Sequence, residues 1–218
     1  MVKLCFPTDG TFDVAEIPYG VIERKGNGDE ECCQRWAAVQ GERGGLAILN
    51  DGRYSYSAPN GELRMTVANT SIFADHYGQN HRDASCRYMD QGELFFNYEI
   101  VPFAGSWRDA GLNRRAALLN QPMTHVVETY HEGPLSGEFC GLSIDAPNVD
   151  IGAFKRAEDD AGYVLRLCET VGRKVSAKVE SALLGRKFEI EMDPFEIRTI
   201  YLPDDAAQEL REVLITEM

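Results

Sequence analysis

Residues 54–67 read Tyr54-Ser55-Tyr56-Ser57-Ala58-Pro59-Asn60-Gly61-Glu62-Leu63-Arg64-Met65-Thr66-Val67. Leu63, Met65 and Val67 alternate with Glu62, Arg64 and Thr66, the two-residue period of a strand with one face buried. Pro59-Asn60-Gly61 separates this run from residues 54–57. Proline presets φ there, and asparagine and glycine tolerate left-handed backbone. The stretch is expected to form a β-hairpin.

The same period recurs on both sides of this hairpin. Leu94, Phe96, Tyr98 and Ile100 share one face, as do Tyr163, Leu165 and Leu167; Val175, Ala177 and Val179; Phe188, Ile190 and Met192; and Phe195, Ile197, Thr199 and Tyr201. Gly26-Asn27-Gly28, Asp51-Gly52, Ala104-Gly105 and Ala161-Gly162 punctuate the runs. Many short strands with such turns predict an antiparallel β-sandwich. Helical signal is confined to a short stretch at 109–120 and to the tail. There, Asp204 and Asp205 are placed to cap a helix with Ala206, Leu210, Val213 and Leu214 on one face. Asp145-Ala146-Pro147-Asn148 interrupts the pattern. The expected domains are 1–145, a small terminal β domain at 146–203, and an acidic tail at 204–218, read as helical.

The 218 residues carry 22 Lys and Arg against 35 Asp and Glu, a formal net charge of -13. That balance argues against nucleic acid and against an anionic membrane surface as partners. No apolar run approaches the roughly 18 residues of a spanning helix. The first ten residues lack the apolar stretch of a secretory signal. The six cysteines are irregularly spaced, so free thiols and a cytoplasmic setting are expected.

Residue types that carry chemistry are present without a decisive pattern. Asp75-His76-Tyr77-Gly78-Gln79-Asn80-His81-Arg82-Asp83 has metal-compatible side chains, but reads as a solvated loop. Cys32-Cys33 lacks a partner pair. Gly41-Glu42-Arg43-Gly44-Gly45 precedes a strand, so it offers no helix N-terminus for phosphate. Trp36, Tyr54, Tyr56, Tyr88, Tyr98 and Trp107 suit either a core or a sugar-stacking surface. Asn50-Asp51-Gly52-Arg53-Tyr54 follows the strand-like Leu46-Ala47-Ile48-Leu49. It reads as an Asx turn, or as a loop projecting toward a ligand. No catalytic residue and no metal ligand is assigned to the chain.

Several segments, in order, form a larger pattern. They are Glu16-Ile17-Pro18-Tyr19-Gly20-Val21-Ile22-Glu23-Arg24, then Gln34-Arg35-Trp36, then residues 45–56 (Gly-Leu-Ala-Ile-Leu-Asn-Asp-Gly-Arg-Tyr-Ser-Tyr), then Gly61-Glu62-Leu63-Arg64-Met65-Thr66. Asp90-Gln91-Gly92-Glu93 follows, with residues 95–102 and Ala104-Gly105-Ser106-Trp107-Arg108 behind it, and Asp193-Pro194-Phe195-Glu196-Ile197-Arg198-Thr199 closes the series. Together they resemble the C-terminal β-sandwich region of glycoside hydrolase family 38, the retaining α-mannosidases. Leu94 and Phe103 stand where the family often has histidine, and Ser55 stands where it usually has glycine.

The resemblance implies an all-β fold: an antiparallel, galactose mutarotase-like β-supersandwich and then a small C-terminal β-sandwich domain. It implies a parent α-mannosidase whose nucleophile, acid/base and divalent metal (usually zinc) lie in a preceding catalytic domain, with no cofactor in this chain. The catalytic domain and an α-mannoside carbohydrate are the implied partners. The loop bearing Asn50, Asp51, Arg53 and Tyr54 becomes a substrate-side or inter-domain contact, and Trp36 and Trp107 become packing residues. The alternative is a free-standing carbohydrate-binding sandwich without hydrolase activity.

Overall fold

A computed structural model describes residues 1–70, 88, 91–134 and 136–217. Contacts divide the chain into two units, Met1–Pro18 with Ile22–Pro122 and Tyr19–Val21 with Met123–Met218. The sequence sets its boundary at 145, and the first strand after residue 122 begins at Ser143.

The early strands are β1 (Val2–Pro7), β2 (Phe12–Ile17), β3 (Gly20–Arg24), β4 (Glu31–Cys32), β5 (Trp36–Gln40), β6 (Gly44–Asn50), β7 (Ser55–Ser57), β8 (Glu62–Ala68) and β9 (Tyr98–Ala104). One sheet has the order β1-β8-β7-β4 and the other β3-β2-β5-β6-β9. The pairings with defined register are all antiparallel, as the alternation predicts. The expected hairpin joins β7 to β8, with Tyr56 opposite Met65. Gly61 turns it at φ 75°, and its neighbour Glu62 N donates to Pro59 O at 2.9 Å. Leu63 and Met65 from one sheet meet Ala15, Ala37, Val39 and Ile48 from the other in a buried core. Each large apolar side chain so buried contributes about 1.5–3 kcal/mol.

Tyr56 belongs to this core, not to a sugar-stacking surface. It is fully buried, its hydroxyl donates to Asp13 Oδ2 at 2.5 Å and accepts from Arg24 Nη1 at 2.9 Å. Burial, then the facing Asp13 carboxylate, pushes its ionisation far up, so the phenol remains a donor.

On the same sheet, Glu30 accepts hydrogen bonds from Lys3 of β1, Thr66 of β8 and, at 2.6 Å, Ser55 Oγ of β7. Burial raises its pKa, but these donors outweigh it and hold the carboxyl below its ordinary 4.5. A depressed folded value contributes stability above pH 4.5 that is lost as pH falls through the lower folded value. The site is largely solvated, so the expected effect is under about 1 kcal/mol. Thermal melts from pH 6 to pH 3 should show a shallower acid-side decline in Glu30→Gln than in the parent. Parallel curves would show that this carboxylate does not titrate in a stability-linked way.

The expected strand face at Leu94, Phe96, Tyr98 and Ile100 is corrected in two respects. The strand begins only at Tyr98, and Tyr98 and Ile100 are exposed while Val101, of the opposite parity, is buried. Behind it, α1 (Leu112–Asn120) is the helix that the 109–120 stretch suggested, and it buries Leu112, Asn113 and Ala116.

The later strands are β10 (Ser143–Ile144), β11 (Val149–Arg156), β12 (Gly162–Glu169), β13 (Val175–Ser181), β14 (Arg186–Met192), β15 (Ile197–Pro203) and β16 (Arg211–Val213). Their sheets are β10-β13-β14 and β11-β12-β15-β16. The core is Leu165, Leu167, Ala177, Val179, Ile190 and Met192, the residues the alternation marks, joined by Val149, Ile200 and Leu202. The tail departs from its helical reading: Arg211–Val213 pairs antiparallel with β15. Val213 packs against Ala157, Val164 and Tyr201, and Arg198 Nε donates to Glu212 Oε1 at 3.1 Å. A short exposed helix bears the full nucleation cost, whereas strand addition satisfies the edge of β15 and covers Tyr201.

Candidate functional site

The 50–54 loop leaves the end of β6, where Asn50 stands opposite Tyr98 of β9. Asn50 is fully buried. Its Oδ1 accepts from Gly52 N at 3.0 Å and Arg53 N at 2.7 Å, the expected Asx turn. Its Nδ2 donates to Gln34 O at 3.1 Å, and its carbonyl accepts from Asn120 Nδ2 of α1 at 2.8 Å. Its own N–H donates to Arg35 O at 2.8 Å. Arg35 is anchored in turn: its backbone N and its Nε reach the buried Glu16 carboxylate at 2.9 and 3.0 Å. One asparagine thus ties the loop to the 34–35 turn and to the end of α1.

Asp51 turns outward and accepts from the backbone N–H of Asn97 at 2.9 Å and from Asn97 Nδ2 at 2.7 Å. This clamp brings residues 96–98 beside the loop. The Arg53 guanidinium carbon lies 5.0 Å from the Phe96 ring centroid, and the Phe96 and Tyr98 rings stack at 5.8 Å and 28°. Arg53 Nε is shielded from solvent without a hydrogen-bond partner among the described residues. Tyr54 is exposed, and its carbonyl accepts from Cys33 N. A cation over an aromatic face, continued by a second ring that is itself exposed, can meet a ligand having both an apolar face and hydrogen-bonding edges.

The four sequence-predicted residues therefore have different surroundings. Asn50 is internal structure, Asp51 is a clamp, Arg53 is half-buried over Phe96, and Tyr54 is exposed. Sequence reasoning passes over Asn97 and Asn120, reads Phe96 as part of a strand face, and names Tyr98 both there and among the candidate stacking aromatics. No local signal marks the 96–98 segment as a neighbour of the loop, because the two meet only through the β6–β9 pairing.

The tryptophans pack inside, as expected. Trp36 Nε1 donates to Asn113 Oδ1 at 2.5 Å, and Trp107 Nε1 donates to Glu23 Oε1 at 3.1 Å. The rings are 5.9 Å apart at 44°. Gln40 fixes the neighbouring turn by accepting from Trp107 N at 2.9 Å and donating to Gly105 O at 2.9 Å.

Burial pushes the Cys33 thiol up to about 12 and the Cys168 thiol up to about 11, with nearby acidic groups adding to both. Neither is a thiolate nucleophile near neutral pH. Among the described residues no three His, Cys, Asp or Glu side chains gather as a metal cage. The stretch from Asp75 to Asp83, with His76 and His81, lies outside the described residues. No described helix is long and apolar enough to cross a membrane.

Residues 1–77 match the glycosyl hydrolases family 38 C-terminal domain. That match takes in the first third of the chain, and it is a likeness to the C-terminal domain of this family. The matched residues include β1 through β8 and the whole 50–54 loop. Similar curated proteins include α-mannosidase G of Dictyostelium discoideum, 23% identical over 84% of this chain and 19% of that protein. Human α-mannosidase 2C1 is 28% identical over 71% of this chain and 14% of its own length. The chain thus spans under a fifth of the length of these relatives. The fold is shared with an α-mannosidase from Enterococcus faecalis V583, with a TM-score of 0.74 and 20% identity over 92% of this chain and 25% of that one.

Proposed function

We propose that this chain is the non-catalytic C-terminal region of a retaining α-mannosidase, and that it supports the catalytic domain and lends the 50–54 loop to the sugar site. The observation that carries this reading is the match to the family 38 C-terminal domain over residues 1–77, which takes in the loop. The loop is built as a rigid presenter: Asn50 holds its backbone and Asp51 its flank. Arg53 then offers donors to sugar hydroxyls, and Tyr98 offers a ring to the apolar face of a pyranose.

Retaining hydrolysis of α-mannosides proceeds through a covalent glycosyl-enzyme and needs two carboxyl groups about 5 Å apart. We assign these, and a divalent metal such as zinc, to a preceding catalytic domain. The role left to this chain is to exclude water and orient the sugar, because positioning alone accelerates a step strongly. The free thiols Cys5, Cys32 and Cys140 support a cytoplasmic setting.

The chain alone is expected to leave an aryl α-mannoside intact. Grafted in place of the matched quarter of the Enterococcus faecalis enzyme, it should restore turnover that the truncated enzyme lacks. Arg53→Ala in that fusion should lower kcat/KM about tenfold, or about 1.4 kcal/mol. Turnover by the purified chain that disappears in Asp51→Ala would overturn the reading. The exposed Tyr54, Phe95 and Tyr98 favour a second reading, a carbohydrate-binding module that acts without a catalytic domain. Millimolar or tighter binding of mannobiose by the isolated chain, with no gain of activity in the fusion, would select it.

A further inference from the structure

Between α1 and β10 no described residue of 121–142 belongs to a strand or helix. Every described residue from 121 to 140 is exposed. Met123, Val126, Val127, Tyr130 and Phe139 stand 86%, 77%, 91%, 96% and 71% accessible. A solvated linker is built from Gly, Ser, Pro and charged residues, with few aromatic or β-branched side chains. Val126, Val127 and Tyr130 within five residues are the opposite composition. Large apolar side chains concentrated at the surface mark a contact that something else completes.

We infer that residues 123–139 are a docking strap, which lies in an apolar groove of the polypeptide that precedes this region in a complete family 38 enzyme. This rests on the reading of the chain as a C-terminal region. The occupant follows from length. The chain corresponds to 19% and 14% of two curated relatives, so more than four-fifths of each is polypeptide outside the match. A groove on the same polypeptide meets the strap at the high effective concentration of a tethered partner. A strap with no regular structure of its own fits such a groove, since docking orders it and the tether offsets much of that entropy. The exposed side chains would enter the groove, while Glu128 and Glu132 stay at its polar rim.

Amide hydrogen exchange separates the outcomes. In the isolated chain, residues 123–139 should exchange fast and the chain should run as a monomer. In the fusion with the Enterococcus faecalis amino-terminal portion, the same amides should slow by about tenfold or more. Val127→Asp with Tyr130→Asp should leave the melt of the isolated chain unchanged. In the fusion it should restore fast exchange and lower the melting temperature. Equal exchange in chain and fusion overturns the strap. So does protection in the isolated chain, whether through a dimer that Val127→Asp dissolves, meaning a second copy, or through folding back. An active fusion with an unprotected strap removes this inference alone, and an inactive fusion with a protected strap removes the functional reading alone.

Discussion

Glu169→Ala should destabilise the later strands by about 4 kcal/mol, at the upper end of what single substitutions do. Glu169 is fully buried at the end of β12. Its Oε1 accepts from Asn148 Nδ2 at 2.9 Å and Val171 N at 3.0 Å. Its Oε2 accepts from Gly172 N at 2.8 Å and Phe195 N at 2.9 Å. Hydrogen bonds to a charged acceptor contribute about 1.5–3 kcal/mol each and are not additive. Alanine leaves three backbone donors without a partner and opens a void. It also releases a strained position: Phe195 has φ 58°, a left-handed backbone that an aromatic residue seldom adopts. The ring of Phe195 lies against Gly172, itself at φ 75°, where an added Cβ would come within 2.7 Å of Phe195 Cε2. The carboxylate is therefore the common anchor of two turns. The later transition in calorimetry should fall by about 15 °C or more, while Glu169→Gln, which keeps one acceptor oxygen, should lose roughly half as much. A loss below about 1 kcal/mol would mean that the turns hold themselves, and the anchor would be discarded.

Asn50→Ala is the second large effect, about 3 kcal/mol on the early strands. It removes the Asx turn, leaves the N–H groups of Gly52 and Arg53 and the carbonyl of Gln34 without partners, and does so at a fully buried position. The consequence for the site is larger than for the fold. Without the turn, Asp51 no longer meets Asn97 and Arg53 no longer lies over Phe96, because both contacts depend on the path of the loop. Urea unfolding should show the stability loss. Amide exchange at Gly52, Arg53 and Asn97 should rise together, ahead of global unfolding. If Asn50→Ala costs less than about 0.5 kcal/mol, or if Asn97 stays protected, the loop is not held through this side chain. Asn50→Asp keeps the acceptor for Gly52 and Arg53, but loses the donor to Gln34, and should fall between alanine and the parent.

The all-β architecture was legible because alternation is a local signal. Leu63 and Met65, Leu165 and Leu167, and Ala177 and Val179 are all buried on the face that their period assigns. The hairpin at Gly61 was legible because left-handed backbone at a two-strand turn restricts the residue type. Period two cannot say which of two faces lies inward when both are apolar. That is why the face of Leu94, Phe96, Tyr98 and Ile100 differs from the expectation: Tyr98 and Ile100 look like core, yet Val101 is the buried residue. In β15 both faces are covered, Ile200 and Leu202 by the core and Tyr201 by the tail strand. The tail itself carried helix-cap residues and a helical apolar face, and local preference lost to the open edge of β15. The resemblance singled out the 50–54 loop as a candidate contact, while its anchoring comes from residues far apart in sequence.

By itself the sequence determined the strand content, the turn at 59–61 and the family-like order of segments, because each is written in residue type and short-range spacing. The tertiary structure alone decided that Asn50 is an internal anchor and that Asp51 clamps Asn97. It alone decided that Arg53 stands over Phe96 and that Glu169 ties together residues 148, 171, 172 and 195. Those are contacts between residues brought together by sheet pairing. No local pattern encodes which distant donor will meet a buried acceptor; only the folded register does.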